Sequence, residues 1–122
     1  MIGVDASAII PWLKQDSGAD FLQELVAGGR AAVAPVTITE LFSDKRGIDT
    51  VADAIKGFRV IDLTTGHWER AGAMRAALRT AGRKAPMADA LIAQACIDAN
   101  IPLLTRDADF KVYADLFGLK LA

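Results

Sequence analysis

The chain has 122 residues, of which 52% are hydrophobic, and its formal net charge is −1 at pH 7. This length suits one compact domain over residues 1–122 with a buried core, and the composition excludes a disordered chain. The near-neutral charge excludes a broadly basic nucleic-acid binder, although a local basic stripe together with a divalent metal ion could still hold a phosphate backbone.

The sequence carries no mark of a membrane or secreted protein. No apolar run approaches the roughly 20 residues of a membrane-spanning helix, and the start, Met1-Ile2-Gly3-Val4-Asp5, lacks the basic and apolar segments of a secretion signal. Cys96 is the single cysteine, so no internal disulfide can form, and its place in a helical apolar pattern predicts a packed thiol. We therefore expect a cytoplasmic protein that has no contact with membranes.

Short apolar runs alternate with helical patterns along the chain. In chain order, the predicted elements are a strand over Ile2–Val4, helices over 7–13 and 18–27, a strand over 31–35, helices over 37–43 and 49–56, a strand over 59–63, helices over 65–81 and 87–99, a strand over 101–105, a short helix over 110–116 and a last strand over 119–121. Strands separated by helices imply crossovers, and therefore an α/β fold with a parallel sheet covered on both faces.

The apolar periodicity also predicts which helical side chains face the core. The expected inward residues are Phe21, Leu22 and Leu25 in the second helix, and Trp68, Ala71 and Leu78 in the long helix after the third strand. Pro11 is compatible with the first helix only near its first turn, because proline lacks the amide that later turns use.

Four acidic residues stand where apolar runs begin or end. Asp5 follows the first strand and Asp107 the fourth, whereas Glu40 lies in the helix after the second strand and Asp89 near the start of the helix before the fourth. In an open α/β sheet, functional residues gather outside the carboxyl ends of the strands, so we expect the four side chains to converge at one edge.

Converging carboxylates would either protonate or bind a cation. Two like charges about 4 Å apart repel by about 4 kcal/mol at an effective dielectric near 20. Ligands that are all oxygen, without histidine or cysteine, favour Mg²⁺ or Mn²⁺ over zinc. Such an ion chiefly serves phosphoryl chemistry, by polarising a phosphate, activating water and neutralising the leaving oxygen. His67, the single histidine, is far in sequence from these acids and is given no role.

Each acid also has a structural interpretation. The alternatives are a helix cap by Asp5, a capping box in which Glu40 bonds back to the amide of Thr37, a contact of Asp89 with the helix dipole, and a cap on the following helix by Asp107 or Asp109. Asp89 shares one helix face with Ile92, Ala93 and Cys96, which predicts burial and favours function at that position.

Polar residues near the acids extend the candidate site. Ser7 and Thr105 stand two residues from Asp5 and Asp107, where a hydroxyl could orient a carboxylate or a metal-bound water, or could only cap a helix or turn. The basic residues Arg75, Arg79, Arg83 and Lys84 could form one stripe that positions a nucleic-acid strand by its phosphates, or a solvated helix face. Lys45-Arg46 is a weaker candidate of the same kind.

Four segments, in this order, carry a family resemblance: Val4-Asp5-Ala6-Ser7-Ala8, Thr37-Ile38-Thr39-Glu40-Leu41, Ala88-Asp89-Ala90-Leu91-Ile92-Ala93 and Leu104-Thr105-Arg106-Asp107-Ala108-Asp109-Phe110. Together they resemble the PIN-domain ribonucleases, and in length and spacing they are most similar to VapC-type toxins of bacterial and archaeal toxin–antitoxin pairs. The resemblance spans nearly the whole chain.

The resemblance implies a three-layer α/β/α sandwich and Mg²⁺ or Mn²⁺ held by Asp5, Glu40, Asp89 and Asp107, with Asp109 as a second candidate for the fourth position. It also implies endonucleolytic hydrolysis of RNA by metal-activated water, with 3′-hydroxyl and 5′-phosphate products. Toxins of this type are usually homodimers, neutralised by a cognate antitoxin whose carboxyl-terminal segment covers the acidic pocket.

Two other functions remain open from the residues. The first is a catalytically silent PIN-fold module that binds RNA or protein, which would be marked by the loss of an acid, and all four acids are present. The second is a phosphoacceptor domain with Asp5 as nucleophile. It is disfavoured because Ser7 stands where a second aspartate is expected and Arg106, not lysine, follows Thr105.

Overall fold

The computed structural model of the chain describes residues 1–16, 18–45 and 48–122. At its centre is a parallel sheet in which the strands lie in the order β3-β2-β1-β4. The strands are β1 (Ile2–Val4), β2 (Ala31–Val33), β3 (Arg59–Val60) and β4 (Leu103–Leu104). The chain moves outward from β1 to β3 and then crosses back to place β4 on the other side of β1. The strand order therefore reverses between β1 and β4, which is where open α/β sheets form their ligand crevice.

Helices connect the strands and cover both faces of the sheet. They are α1 (Ala6–Leu13), α2 (Asp20–Ala27), α3 (Pro35–Phe42), α4 (Ile48–Ile55), α5 (His67–Thr80), α6 (Met87–Ala99) and α7 (Lys111–Phe117), with a 3₁₀ turn (Ala108–Phe110) before α7. Among the described residues, no helix has both the length and the apolar surface needed to cross a membrane.

Two hydrophobic cores lie on opposite faces of the sheet, as strand geometry requires. Ala31 and Val33 of β2 pack with buried residues of α1 to α4, whereas Ala32 between them packs with those of α5, α6 and α7. Successive side chains of a strand point to opposite faces, so even a three-residue strand serves both cores. This arrangement confirms the predicted three-layer α/β/α sandwich.

Most predicted elements are present. The first strand has the predicted bounds, but the later strands are shorter than predicted. The second strand ends at Val33 because Pro35 is the first residue of α3, a position that suits its fixed φ. β3 has two residues, although the amide of Ile61 still donates to the carbonyl oxygen of Val33 at 2.9 Å. The last predicted strand is reduced to one bridge, between Leu103 and Leu121.

Three side-chain predictions are wrong. Pro11 is the sixth residue of α1, in its second turn, where burial of the neighbouring Ala8 and Ile9 offsets the lost amide bond. Phe21 is 47% exposed and Trp68 is 62% exposed. One helical position is a rotation of about 100°, so in each case the adjacent residue, Leu22 or His67, takes the inward direction. The other predicted inward residues, Leu22, Leu25, Ala71 and Leu78, are buried.

Candidate active site

The site is built at the reversal point of the strand order. Asp5 follows β1 directly, and its amide donates to the carbonyl oxygen of Leu104 on β4 at 3.3 Å. Its side chain is 5% exposed, so the carboxyl group lies against the sheet edge. Asp5 occupies the N-cap position of α1 but makes no side-chain capping bond to that helix. The helix-cap alternative for Asp5 thus has no hydrogen bond of cap geometry to support it, although the backbone amide of Ser7 acts to lower the pKa of the Asp5 carboxyl.

Two hydroxyl groups connect Asp5 to the segment after β4. The Ser7 hydroxyl donates to Asp5 Oδ1 at 2.9 Å and accepts from the amide of Arg106 at 2.9 Å. Ser7 Oγ and Thr105 Oγ1 are 3.1 Å apart, and because Ser7 has used its only proton, Thr105 is the donor of that bond. Thr105 Oγ1 in turn accepts from the amide of Asp107 at 3.0 Å. The network fixes two acids from distant parts of the sequence relative to each other.

Glu40 reaches the same edge from α3. That helix has Ala34 at its N-cap position, so Thr37 lies inside the first turn and cannot form the capping box with Glu40. The structural alternative for Glu40 is therefore wrong. Burial raises the pKa of the Glu40 carboxyl above its ordinary value, and the nearby charge of Asp5 raises it further. Burial likewise raises the pKa of Asp5, against the opposing effects of the Ser7 hydrogen bond and of the nearby Thr105 hydroxyl.

Asp89, Asp107 and Asp109 form the tightest acidic group among the described residues. Each offers a carboxylate oxygen that lies within 4.8 Å of those of the other two. Asp89 stands in the first turn of α6, at the end of the face that buries Ile92 and Ala93. Burial, followed by the charges of Asp107, Asp109, Glu40 and Asp5, raises the pKa of Asp89 to about 6. The charges of the other four acids therefore all act on Asp89.

Asp107 has a structural role as well. Its Oδ1 accepts a hydrogen bond from the amide of Asp109 at 2.9 Å and so caps the 3₁₀ turn before α7. Of the two predicted candidates, Asp107 is therefore the one that makes the cap, and its second carboxylate oxygen takes no part in that bond. Asp109 is exposed and does not cap the turn.

The donor set fits a hard divalent cation. The converging atoms are carboxylate oxygens, which Mg²⁺ and Mn²⁺ prefer, and the raised pKa of Asp89 shows that its charged form lacks a compensating positive partner. His67 lies near the opposite end of α6, where its Nδ1 is 3.7 Å from Asp98 Oδ2. Cys96 is packed in the core, and burial raises the pKa of its thiol to about 12, which makes it inert as predicted.

The predicted basic stripe divides into two surfaces. Arg83 and Lys84 line a cavity of about 420 Å³ together with Asp89 and Asp109. Arg75 and Arg79 line a separate groove between α5 and α6, and the Arg75 Nε also donates to the carbonyl oxygen of Ala85 at 2.6 Å. Of the weaker basic pair, Lys45 is exposed, and Arg46 lies outside the described residues.

Two residues beside the acids were missed by sequence reasoning. Lys111 and Tyr113 line the cavity that contains Asp89. Tyr113 is 1% exposed, and its hydroxyl has no hydrogen-bond partner among the described residues. Burial, with the charge of Asp89 next in effect, raises the pKa of Tyr113 to about 12. The spacing of Phe110, Tyr113 and Phe117 signals a buried helix face, but nothing local indicates that the face ends at the acids.

Comparison with known proteins agrees with this architecture. Residues 2–116 match the family model described as the PIN domain. No curated protein sequence matches the chain. Among solved structures, VapBC2 from Rickettsia felis, bound to a DNA fragment from its promoter, gives a TM-score of 0.78 at 20% identity, over 100% of this chain and 98% of that chain.

Two further structures have the same fold at similar identity. A toxin–antitoxin complex from Klebsiella pneumoniae gives a TM-score of 0.73 at 20% identity, over 98% of this chain and 95% of that chain. VapBC-5 from Mycobacterium tuberculosis gives a TM-score of 0.68 at 20% identity, over 98% of this chain and 94% of that chain. The match of the family model over most of the sequence decides the assignment: this chain belongs to the PIN-domain family.

Proposed function

We propose that the chain is a metal-dependent endoribonuclease and the toxin of a type II toxin–antitoxin pair. The observation that carries the proposal is the convergence of five carboxylates at the reversal point of the sheet, where Asp89 has a pKa of about 6 because of burial and the other four acids. PIN-domain proteins are nucleases as a family, and the similar structures are toxin–antitoxin complexes.

In this proposal, Asp5, Asp89 and Asp107 hold Mg²⁺ or Mn²⁺, with Asp109 as a further ligand. Glu40 binds the ion directly or through water, or orients the attacking water. When bound, the ion would supply charge neutralisation at the phosphate and a more acidic water. Ser7 and Thr105 keep the Asp5 carboxylate in place through their hydrogen bonds. The products would be 3′-hydroxyl and 5′-phosphate ends.

The proposed partners follow from the family and from the similar structures. The substrate is RNA, and the inhibitor is a cognate antitoxin that covers the acidic pocket. Because VapBC2 from Rickettsia felis was solved with promoter DNA, a complex of this chain with its antitoxin is also proposed to bind its own promoter. We propose that the active form is a homodimer.

The decisive experiment is cleavage of RNA by the purified chain with Mg²⁺ or Mn²⁺, and with chelator. We expect Asp5→Asn and Asp89→Asn to reduce the rate by more than about 100-fold, since even the partners of metal ligands contribute about 10–100-fold. Asp53→Asn is the matched control, because Asp53 is exposed and pairs only with Lys56 at 3.5 Å among the described residues. Cleavage retained in both site variants, or in chelator, would contradict the assignment.

A catalytically silent binding module is the alternative function. Thermal unfolding with increasing Mn²⁺ distinguishes the two functions. A ligand that binds only the folded state adds about 2.7 kcal/mol to the free energy of unfolding when its concentration is 100 times its dissociation constant. A folded chain whose melting temperature does not respond to Mn²⁺, and which leaves RNA intact, would favour the binding module.

A further inference from the structure

Resting on the proposed nuclease function, we infer that the cavity beside the acids binds a phosphate of single-stranded RNA next to the one that is cut. Arg83 and Lys84 would contact that phosphate. Arg75 would not touch RNA at all. It would be a positioning residue, whose bond to Ala85 holds the segment that carries the two cations.

The first support is the make-up of the cavity, which joins basic side chains to the acidic site. Its charged lining residues are Arg83, Lys84, Asp89, Asp109, Lys111 and Asp115. Asp89 and Asp109 belong to the acidic group that fits a metal ion. A phosphate in this cavity would therefore lie beside the acids that are proposed to hold the metal ion, within reach of cationic side chains.

The second support is that two of these cations have nothing else to bind. Arg83 and Lys84 are both exposed, and within the described residues neither side chain takes part in an ion pair or hydrogen bond. Lys111, the third cation of the cavity, is different because its Nζ pairs with Asp115 Oδ2 at 3.1 Å. The positive charge of the cavity that is not paired with a described carboxylate therefore comes from Arg83 and Lys84.

The third support is the way their segment is held. The amide of Arg83 donates to the carbonyl oxygen of Leu78 at 2.9 Å, which closes the turn after α5, where Gly82 has φ of 76°. On the other side, Ala85 is 6% exposed and its carbonyl oxygen accepts the 2.6 Å bond from Arg75. Arg83 and Lys84 are thus carried between two fixed points. Because Arg75 Nε donates to a backbone carbonyl oxygen, Arg75 fixes the position of this segment and does not act through its positive charge alone.

This arrangement differs in its consequences from a basic stripe along one helix face. A stripe would make Arg79 and Arg83 equivalent. Here, Arg79 lines the separate groove between α5 and α6 with Trp68 and Met87, and it does not line the cavity. Arg79→Ala is therefore a matched control, because it removes the same charge four residues from Arg83.

The test is the binding of a fluorescein-labelled single-stranded RNA oligonucleotide to chains carrying Asp5→Asn, so that the probe is not cut. We expect Arg83→Ala and Lys84→Ala each to weaken binding several-fold near 0.1 M salt. Each should also reduce the slope of log K against log salt concentration by about 0.7, the value for one phosphate contact on a single strand. Arg79→Ala should change neither quantity. Equal losses for Arg79→Ala and Arg83→Ala, or no loss for Arg83→Ala and Lys84→Ala, would overturn the inference.

Arg75 is tested in chains that retain Asp5, by a mutant cycle in which Arg75→Ala is one change and the joint replacement of Arg83 and Lys84 by alanine is the other. We expect Arg75→Ala to raise KM for RNA with kcat nearly unchanged, and to add little once both Arg83 and Lys84 are alanine. Additive losses would mean that Arg75 contacts RNA itself and would refute the positioning role.

The two proposals fail separately. If the chain cuts RNA but the cavity variants bind and cut as the unmodified chain does, only the cavity inference is wrong. If the unmodified chain does not cut RNA, the nuclease proposal is wrong, and the binding measurements still decide whether the cavity holds RNA.

Discussion

The hydroxyl of Ser7 has its full hydrogen-bonding capacity used inside the site. It donates to Asp5 and accepts from Thr105 and from the amide of Arg106. A hydroxyl offers one proton and two lone pairs, so this geometry leaves it a single orientation. Ser7 therefore sets the direction of the Asp5 carboxylate and ties α1 to the segment after β4.

Replacing Ser7 with alanine should weaken catalysis while keeping the fold. We expect Ser7→Ala to lower RNA cleavage by about 10–100-fold, the usual cost of losing a partner of a metal ligand, and to raise the Mn²⁺ concentration needed for half activity. Ser43→Ala is the control, because within the described part of the chain the Ser43 hydroxyl bonds only to the carbonyl oxygen of Thr39, at 2.8 Å at the end of its own helix. Equal activities of the two variants would show that Ser7 does not position Asp5.

At the scale of elements, the placement of Asp89 depends on how closely α6 approaches the sheet. Gly3 in β1 faces Cys96 in α6, and a Cβ atom at Gly3 would stand 2.6 Å from Cys96 Sγ. The absence of a side chain at Gly3 lets the helix lie against the central strand. The far end of α6 is held by Asp98, which accepts bonds from Arg70 at 2.7 Å and from Gln94 at 2.8 Å.

This contact gives a stability prediction. Gly3→Ala should destabilise the protein by about 1–3 kcal/mol, the usual cost of overpacking, and Cys96→Ala should recover most of that loss in the double variant because it removes the sulfur. Gly72→Ala is the control. A Cβ atom at Gly72 in α5 would meet no atom of the described residues within 4 Å, so alanine should stabilise by about 0.5–1 kcal/mol.

Denaturant unfolding of the four variants measures these differences. A Gly3→Ala chain as stable as the parent, or a double variant with no recovery, would show that α6 does not approach the strand this closely.

At the scale of the whole molecule, the acidic site opposes folding when no metal is bound. The folded state raises the pKa of Asp89 from 3.8 to about 6, so in that window the folded chain holds its proton more tightly than the unfolded chain does. The contribution of Asp89 to the free energy of unfolding is therefore fully present below about pH 4 and is lost as the pH rises through 6. Asp98 has the opposite effect on stability, because the hydrogen bonds that it accepts from Arg70 and Gln94 lower its pKa. That effect changes with pH only below 3.8, the ordinary pKa of the carboxyl.

The metal-free protein should therefore become less stable between pH 5 and pH 7. We expect the melting temperature of the unmodified chain in chelator to fall over this range. In Asp89→Asn it should fall less, because only the smaller contributions of Asp5 and Glu40 remain. Mn²⁺ should raise the melting temperature more at pH 7 than at pH 5, because protons compete with the metal. A melting temperature in chelator that rises from pH 5 to pH 7, or an Asp89→Asn variant with the parent's pH dependence, would contradict this account.

The local pattern of apolar residues was sufficient to predict the succession of secondary-structure elements along the chain. Apolar runs and helical periodicity are properties of neighbouring residues, so they predicted the order of strands and helices, the parallel sheet and the extent of α6 over Met87–Ala99. The same pattern predicted that Asp5 and Asp107 would follow the first and fourth strands and meet at one edge, because crossover connections place all carboxyl ends of a parallel sheet on the same side. That these two strands are neighbours was shown only by the structure.

Only tertiary contacts decided the remaining features. The burial of His67 instead of Trp68 and the bond from Arg75 to Ala85 depend on which surfaces α5 and α6 present to each other. The cavity that joins Arg83 to Asp89 likewise exists because α7 is folded back beside both. These relations link residues that have no periodic spacing, and their energies come from packing and burial in three dimensions. Sequence alone therefore determined where the acids would meet, and the tertiary structure decided which neighbours surround them.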